Sequence, residues 1–207
     1  VAKAESVLRA RCAELTKARE QGAKQLSERI RQELSEMGFL DIRFELPLSA
    51  LKEPGANGMD EAHFVVSLNP GEPLRPLSEV ASGGELSRIM LSIKTVLADS
   101  DEIPTLIFDE IDTGISGRTA EKVSEKLRKI AQLHQVILIT HLPQIAAKAD
   151  QHFCIEKSVS DGHTHTRIHA LSEEDSVLEL ARLLAGGQIT EAVLANAREL
   201  KKLARGR

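Results

Sequence analysis

The residues best suited to chemistry begin with the run Ser82, Gly83, Gly84 and Glu85. Apolar residues then recur at helical spacing, which predicts an amphipathic helix through Leu86, Ile89, Met90, Ile93 and Leu97. Glycine costs a helix about 1 kcal/mol relative to alanine, so two of them indicate that another group needs close access to this backbone. A helix start carries unpaired N–H groups and the positive end of the helix dipole, and a phosphate could bind there. A plain helix start, capped by the S-x-x-E pattern, is the alternative.

A second set of chemical groups follows an apolar run. Residues 104–110 read PTLIFDE, which predicts a strand covered on both faces that ends in Asp109 and Glu110. Asp112 comes two residues later. Carboxylates at such a place can hold Mg²⁺, and one of them can orient or deprotonate an attacking water. The alternative is that these acids are solvated turn and cap residues.

A histidine ends a second predicted strand. Residues 136–141 read VILITH, and between the strands the apolar spacing predicts a helix with one face formed by Ala120, Val123, Leu127 and Ile130. The unit is therefore a strand, a crossover helix and a parallel strand. Chemistry gathers at the carboxyl ends of parallel strands, so we expect His141 to lie near Asp109 and Glu110. An ordinary loop histidine is the alternative, and Thr140 is predicted to cap the next helix.

Together the three stretches resemble a known set of motifs. ASGGELSR, LIFDEIDTG and ITH, in that order, are similar to the signature, Walker B, D-loop and switch-histidine motifs of ABC-type ATPases. The wording VASGGELSRIMLSIK, FDEIDTGISG and ITHLPQIAAKAD resembles the RecN family of bacterial DNA-repair proteins, which are SMC-like ATPases. The resemblance covers most of residues 39–204. It implies an α/β fold of the ABC/SMC head type, with a parallel sheet core, flanking helices and an amino-terminal coiled-coil-base helix.

The resemblance also implies a role for each site residue. Asp109 holds Mg²⁺, while Glu110 and His141 act on the ATP bound to their own head. Asp112 is the D-loop residue that communicates between heads. The signature residues 82–85 complete the γ-phosphate site of the opposite head, so ATP joins two heads into a homodimer. Hydrolysis then controls how the full-length protein tethers DNA during the repair of double-strand breaks.

One motif of such ATPases is missing from the sequence. No stretch reads G-x-x-x-x-G-K-[ST], and the nearest glycine cluster, residues 114–117, is followed by Arg118 and Thr119. In the family that loop lies in an amino-terminal lobe, which a coiled coil separates from this lobe. We therefore interpret the chain as a carboxyl-terminal lobe whose partner is the amino-terminal lobe, and we expect it to bind ATP poorly alone.

Three alternatives share part of this pattern. A transporter ATPase carries the same motifs, but its signature helix normally follows a helical subdomain that contacts membrane domains. A dimerisation module would use ATP for assembly without significant turnover. A two-metal nuclease also uses clustered acids, although it needs further ligands that we do not find in the sequence.

The segments outside the motifs suggest the domain organisation. Residues 1–37 have the composition and narrow apolar stripe of a long helix that needs a partner, so we interpret them as the base of a coiled-coil arm. An ordinary surface helix is the alternative. Residues 38–207 form the head lobe. Within it, residues 39–47 and 63–69 alternate apolar and polar types, which predicts two antiparallel strands joined by a turn-rich loop.

The carboxyl-terminal third predicts a hairpin followed by two helices. Residues 151–157 and 163–170 form the hairpin, and His163 and His165 share one of its faces with Asp161 near. Two histidines without a cysteine or a fourth donor are weak evidence for a metal, so we interpret this face as solvated. Ser172 and Asp175 form a capping pattern that predicts the start of the first helix.

Composition narrows the partners and the compartment. With 27 basic and 31 acidic residues the net charge is −4, which argues against one large nucleic-acid footprint. The two cysteines, Cys12 and Cys154, form no C-x-x-C pair, so reduced thiols in a cytoplasmic protein are expected. The resemblance to the RecN family implies that this protein is associated with the bacterial nucleoid. No apolar run approaches membrane-spanning length, and we expect no membrane partner.

Overall fold

The computed structural model describes residues 2–39, 41–80, 82–160 and 162–205 of this mixed helix-and-strand fold. The helices in chain order are α1 Ala2–Ser35, α2 Gly83–Leu97, α3 Gly117–Ile130, α4 Pro143–Ala146, α5 Glu173–Ala185 and α6 Glu191–Arg205. The strands are β1 Arg43–Glu45, β2 Leu48–Gly55, β3 Gly58–Ala62, β4 Val65–Ser67, β5 Arg75–Pro76, β6 Thr105–Phe108, β7 Gln135–Leu138, β8 Phe153–Ser160 and β9 His163–Ala170. Among the helices of these ranges, none is long and apolar enough to cross a bilayer.

The predicted strand, crossover helix and parallel strand are present. β6 and β7 pair in parallel, from Thr105 opposite Gln135 to Phe108 opposite Leu138, and α3 connects them. β6 ends at Phe108, so Asp109 and Glu110 lie in a turn beyond the strand, where strand pairing does not constrain their backbone. The carboxyl ends of both strands meet at one edge, which is where the predicted site residues lie.

The expectation that β6 is covered on both faces is wrong for the described part of the chain. Leu106 and Phe108 point into the core and are 7% and 5% exposed. Ile107 on the opposite face is 71% exposed, and its cross-strand partner Ile137 is 47% exposed. Ile139, just beyond β7, is 52% exposed. An apolar sheet face of this kind is normally covered in parallel sheets.

The long helix α1 is half solvated and half part of the core. Near its start Val7 and Leu8 are 55% and 48% exposed, as expected of a helix with a narrow apolar stripe. Near its end Ile30 and Leu34 are fully buried in the same cluster as Ile89 of α2. The helix is therefore anchored in the lobe by its last turns, while the residues before them extend along its surface.

The small antiparallel sheet is present, but the loop predicted between its two strands is not a loop. β1 pairs with β4, β4 also pairs with β5, and the intervening residues form the hairpin β2–β3. Its turn lies between Gly55 and Gly58, and Gly58 has a positive φ of 99° that glycine tolerates. Asp60 of β3 binds Arg19 of α1 at 3.0 Å and Thr16 at 2.7 Å. Pairing with α1 thus stabilises a hairpin that has few apolar residues of its own.

The carboxyl-terminal segment follows the prediction. β8 and β9 form the hairpin, and α5 begins after Ser172, whose hydroxyl accepts a hydrogen bond from Asp175 N at 3.1 Å. Gly186 ends α5 in the left-handed conformation. Leu180 and Ala197 are buried in a second, smaller cluster that joins α5 to α6. The same cluster includes Ala146 of α4, so this segment packs against the helix that follows His141.

A buried lysine ties the end of α1 to α3. Lys126 is 8% exposed, and its ammonium group binds Glu33 and, at 2.8 Å, Glu36. Burial acts to lower the pKa of Lys126, but the hydrogen bonds to the two glutamates outweigh it, so this pKa is raised. The pKa of Glu36 is lowered by its hydrogen bond with Lys126. The ammonium of Lys126 and the carboxylate of Glu36 therefore each favour the charged form of the other.

Lys126→Met should lower the free energy of unfolding by about 1–3 kcal/mol at neutral pH, because two carboxylates lose their partner. A carboxylate whose pKa is lowered in the folded state stabilises the fold above its unfolded pKa of about 4.5, and that contribution is lost as the pH falls through the folded value. The gap between variant and parent should therefore shrink below about pH 4.5. Urea unfolding across this pH range measures it. Lys122→Met, on the exposed side of α3, is the control and should cost less than about 0.5 kcal/mol; an equal loss in both variants would contradict the prediction.

Candidate functional site

The predicted phosphate-binding helix start is present as the first turn of α2. Ser82 is the N-cap residue, and its hydroxyl accepts a hydrogen bond from Glu85 N at 3.5 Å. Gly83 and Gly84 are the first two helical residues. The bond from Glu85 is long, so the cap is weak. The tip of α2 therefore offers backbone N–H groups and the positive end of the helix dipole beside a half-buried serine, Ser82.

The two glycines of this tip allow close packing within the chain itself. A Cβ added at Gly84 would lie 2.8 Å from the carbonyl oxygen of Glu110 and 2.9 Å from Cβ of Thr113. At Gly83 an added Cβ would lie 2.3 Å from Oε2 of Glu110. The close approach that the sequence predicted is thus made, in this chain, by Glu110 and the turn that follows it. Packing within the chain is therefore one reason for the two glycines. Access of a phosphate to this backbone remains the predicted second reason.

The adjacent acids Asp109 and Glu110 are both exposed. The hydroxyl of Ser87 on α2 donates to the Asp109 carbonyl at 2.7 Å, and Asp109 Oδ1 accepts from Glu110 N at 2.9 Å. Glu110 has a φ of 56°, which is unfavourable for a residue with a side chain and is typical of functional turns. Asp109 leaves carboxylate oxygen towards solvent, as binding to hydrated Mg²⁺ requires.

Asp112 is buried and bonds to Thr140 and His141, which follow β7. It is 3% exposed, and its Oδ2 accepts from Thr140 Oγ1 at 2.6 Å and from His141 N at 2.8 Å. The His141 ring lies with Nδ1 at 3.0 Å from the same oxygen, while that side chain stays 70% exposed. His141 is therefore held by Asp112. The ends of the two strands are neighbours, as expected, and Asp112 is the residue that connects them.

The prediction that Thr140 caps the next helix is wrong. The N-cap of α4 is Leu142, which makes no side-chain cap, and Pro143 occupies the first turn as expected. Thr140 Oγ1 instead accepts a hydrogen bond from Leu142 N at 3.0 Å while donating to Asp112. The hydroxyl thus bonds within the loop before the helix, and α4 begins only at Pro143.

Sequence reasoning missed a buried arginine. Arg88 of α2 is 6% exposed, and its Nη1 donates to Thr113 O at 2.8 Å and to Ile111 O at 3.4 Å. The guanidinium lies 5.3 Å from the ring centroid of Phe39. Burial lowers the pKa of Arg88, and the charge of Glu85 acts in the opposite direction. The only signal was a basic residue directly beside the inward-facing Ile89.

The other histidines are not brought into the site. His163 and His165 are exposed on β9, and Asp161 lies outside the described residues. Among the residues that the structure describes, no cluster of three His, Cys, Asp or Glu side chains could hold a metal ion. Any Mg²⁺ at Asp109 would therefore depend on water and on groups supplied by a ligand.

The assembled site combines a helix tip, two exposed carboxylates and an exposed imidazole at one edge of the parallel strands. Such a set can bind phosphate and transfer a proton from water. Oε2 of Glu110 now faces the α2 tip, close to Gly83. A carboxylate beside a helix start is favoured by the positive end of the dipole, and its charge opposes the binding of a second anion at the same tip.

Curated relatives of the chain are proteins named DNA repair protein RecN. The one from Bacillus subtilis is 41% identical over 207 aligned residues, covering 93% of this chain and 36% of the relative. Those from Halalkalibacterium halodurans and Haemophilus influenzae are each 43% identical, over 93% and 91% of this chain and 35% and 34% of the relative. The chain thus spans about a third of the length of these relatives, in their carboxyl-terminal region. No family model matches it.

Solved structures with the same fold are SMC head domains. The Smc head domain with a coiled coil and joint from Pyrococcus yayanosii has a TM-score of 0.54 at 21% identity, covering 79% of this chain and 29% of that one. The Smc head with an extended coiled coil bound to the carboxyl-terminal domain of ScpA, from Pyrococcus furiosus, has a TM-score of 0.50 and covers 80% and 39%. The predicted fold class is confirmed.

The two glycines should respond differently to alanine. Gly84→Ala should lower the free energy of unfolding by about 1–3 kcal/mol, because its Cβ would meet backbone and the Thr113 side chain at under 3 Å. Gly83→Ala should stay within about 0.5 kcal/mol of the parent, since only the mobile end of Glu110 must shift. Chemical denaturation of the two single variants measures this difference. Equal stability of both would contradict the packing described for Gly84.

Proposed function

We propose that this chain, a RecN-type sequence over 93% of its length, forms the carboxyl-terminal lobe of an ABC/SMC-type ATPase head in double-strand-break repair. The observation that carries the proposal is the meeting of the α2 tip, the Asp109–Glu110 turn and His141 at one edge of the parallel strands. These groups have the chemistry that ATP hydrolysis requires: phosphate binding, water activation and a polar group for the developing charge.

The phosphate loop and its lysine would come from a second lobe. The sequence holds no G-x-x-x-x-G-K-[ST] stretch, and the relatives are about three times as long as this chain. The apolar face of the parallel strands supports a protein partner there, since Ile107, Ile137 and Ile139 are exposed on a sheet type that is normally covered on both faces. The amino-terminal lobe of the same protein is the partner we propose for this face.

Each site residue then has a role on one of two nucleotides. Glu110 would orient or deprotonate the attacking water on its own head, after leaving the α2 tip. His141, oriented by Asp112, would contact the γ-phosphate or the water on that same head. Asp109 would hold Mg²⁺ through its water shell, and the ion would offset the charge of the phosphates. The buried hydrogen bonds of Asp112 support a role in positioning His141 within the lobe. Communication between heads would be its second role.

The α2 tip would serve the opposite head. Ser82 and the N–H groups of Gly83 and Gly84, with Glu85 in the same turn, would complete the γ-phosphate site of ATP bound to a second copy. Two heads would then be joined by ATP and released by hydrolysis, which is a two-state switch. Residues 1–37, as the base of a coiled-coil arm, would link that switch to DNA tethering by the full-length protein in the bacterial cytoplasm.

A dimerisation module without significant turnover is the second candidate. The observation in its favour is that Glu110 faces the α2 tip of its own chain and has a strained backbone. If Glu110 only closes the tip until ATP arrives, its charge would regulate assembly and not hydrolysis. The two candidates differ in what the loss of that charge does to turnover.

Glu110→Gln, in the chain combined with its amino-terminal lobe, should reduce ATP turnover by about 10²–10⁴-fold, because an amide cannot accept the proton of the attacking water. ATP-bound dimers should persist longer. Steady-state phosphate release and light scattering measure the two effects. Glu102→Gln, an exposed acid before β6, is the matched control and should leave turnover unchanged. Normal turnover in Glu110→Gln would favour the dimerisation module.

Ile107→Lys should weaken binding between separately purified lobes by at least about tenfold, because a charge would have to be buried at their contact. The chain alone should keep its stability, since this side chain is already 71% exposed. Isothermal titration of one lobe into the other gives the affinity. Leu203→Lys on α6, with a side chain 62% exposed, is the control. Unchanged affinity for the Ile107 variant would remove this face from the proposed contact.

A further inference from the structure

The segment that holds Asp112 is bound to α2 by a buried cation, Arg88. Arg88 Nη1 lies 2.8 Å from Thr113 O and 3.4 Å from Ile111 O, the carbonyl oxygens on either side of Asp112. The same segment closes on itself through Thr113 N, which donates to Glu110 O at 2.9 Å. Thr113 O belongs to the peptide group after Thr113 and Ile111 O to the one before Asp112, so Arg88 holds the backbone at both ends of the 111–113 stretch, more closely at Thr113.

The position of Asp112 in turn determines the position of His141. One oxygen of Asp112 accepts hydrogen bonds from Thr140 Oγ1 and His141 N and lies 3.0 Å from His141 Nδ1. The exposed imidazole has no comparable anchor among the contacts described for it. A shift of the Asp112 backbone would thus be followed by His141, because the three bonds converge on a single carboxylate oxygen.

Arg88 is an expensive residue for packing alone. It is 6% exposed, its hydrogen bonds go to carbonyl groups, and its Nε has no hydrogen-bond partner among the described residues. A buried cation held by neutral acceptors is costly, and an apolar side chain of similar size would fill the same space at lower cost. Its fork of donors is what an apolar residue could not replace.

We propose that Arg88 is a positioning residue for the hydrolytic site: it fixes the Ile111–Thr113 backbone to α2, so that Asp112 holds His141 in its working orientation. The catalytic consequence rests on the proposed function, whereas the positioning itself rests on the contacts alone. Phe39 completes the arrangement by covering the guanidinium face, with its ring centroid 5.3 Å from Cζ.

The test compares Arg88→Lys with Ser92→Ala in the complete protein that contains this chain. Lysine keeps the charge, but its compact ammonium lacks the planar guanidinium that packs on Phe39 and places Nη1 against the two carbonyl groups. Ser92 is equally buried on the same helix, and its hydroxyl bonds only the backbone of Arg88 at 3.1 Å. The control therefore disturbs α2 packing without touching the Asp112 segment.

Amide hydrogen exchange gives a result that does not depend on ATP turnover. In Arg88→Lys, residues 110–116 should exchange at least about tenfold faster, with the rest of the lobe within about twofold of the parent. Ser92→Ala should not show this local change. Unchanged exchange in 110–116, or an equal rise throughout the lobe, would overturn the positioning role, because the latter indicates only a loss of global stability.

Kinetics then tests the consequence for catalysis. Arg88→Lys should lower kcat by about 10–100-fold while KM for ATP changes by less than about threefold, since misplaced groups slow chemistry more than binding. Combined with Asp112→Asn, the losses should not multiply, because both changes act on one unit. Independent, multiplying losses or a normal kcat in Arg88→Lys would overturn the proposal. A parent protein without any ATP turnover would instead refute the proposed function, and the exchange result would still decide the role of Arg88.

Discussion

Backbone contact between the first turn of α2 and the turn after β6 is the constraint on which the rest of this lobe depends. Gly84 is buried there against Glu110 O and Thr113, with no room for a Cβ. Any side chain would push the helix tip away from the turn after β6 and so change the position of the α2 tip relative to Asp109, Glu110 and Asp112. The bonds from Ser87 and Arg88 to this turn have the same requirement, because their reach is fixed by the position of α2.

The exposed apolar sheet face and the candidate site lie on the same structural unit, the parallel strands β6 and β7. These strands leave Ile107 and Ile137 largely exposed, and exposed apolar area of this kind costs roughly 25 cal/mol per Å² relative to burial. The same two strands carry the acids and His141 at their ends, in a sequence that lacks a phosphate loop. A partner that covered the sheet face would also approach the site, so one contact could supply both.

Much of the architecture could be predicted from local patterns, because it depends on local physics. The glycine-containing start of α2, the parallel pair β6–β7 and the cap at Ser172 follow from spacing, strand composition and short-range hydrogen bonds. The β2–β3 hairpin could not, since Asp60 stabilises it through α1 residues more than 40 positions away. The bonds of Asp112 and Arg88 depend on which strand ends meet in space, and no sequence period encodes that. The apolar composition of β6 predicted that both of its faces are covered. One of these faces is exposed in the described part of the chain.

Two ties join the end of α1 to opposite sides of the Asp112 segment. Lys126 connects Glu33 and Glu36 to α3, which follows that segment, and Phe39 packs on Arg88 of α2, which precedes it. Both ties are buried or half-buried, so they resist independent movement better than exposed ion pairs do. The middle of α1 is held as well, because Thr16 and Arg19 bond Asp60 of the β2–β3 hairpin. The Asp112 segment, α1 and that hairpin are therefore connected through a continuous set of contacts.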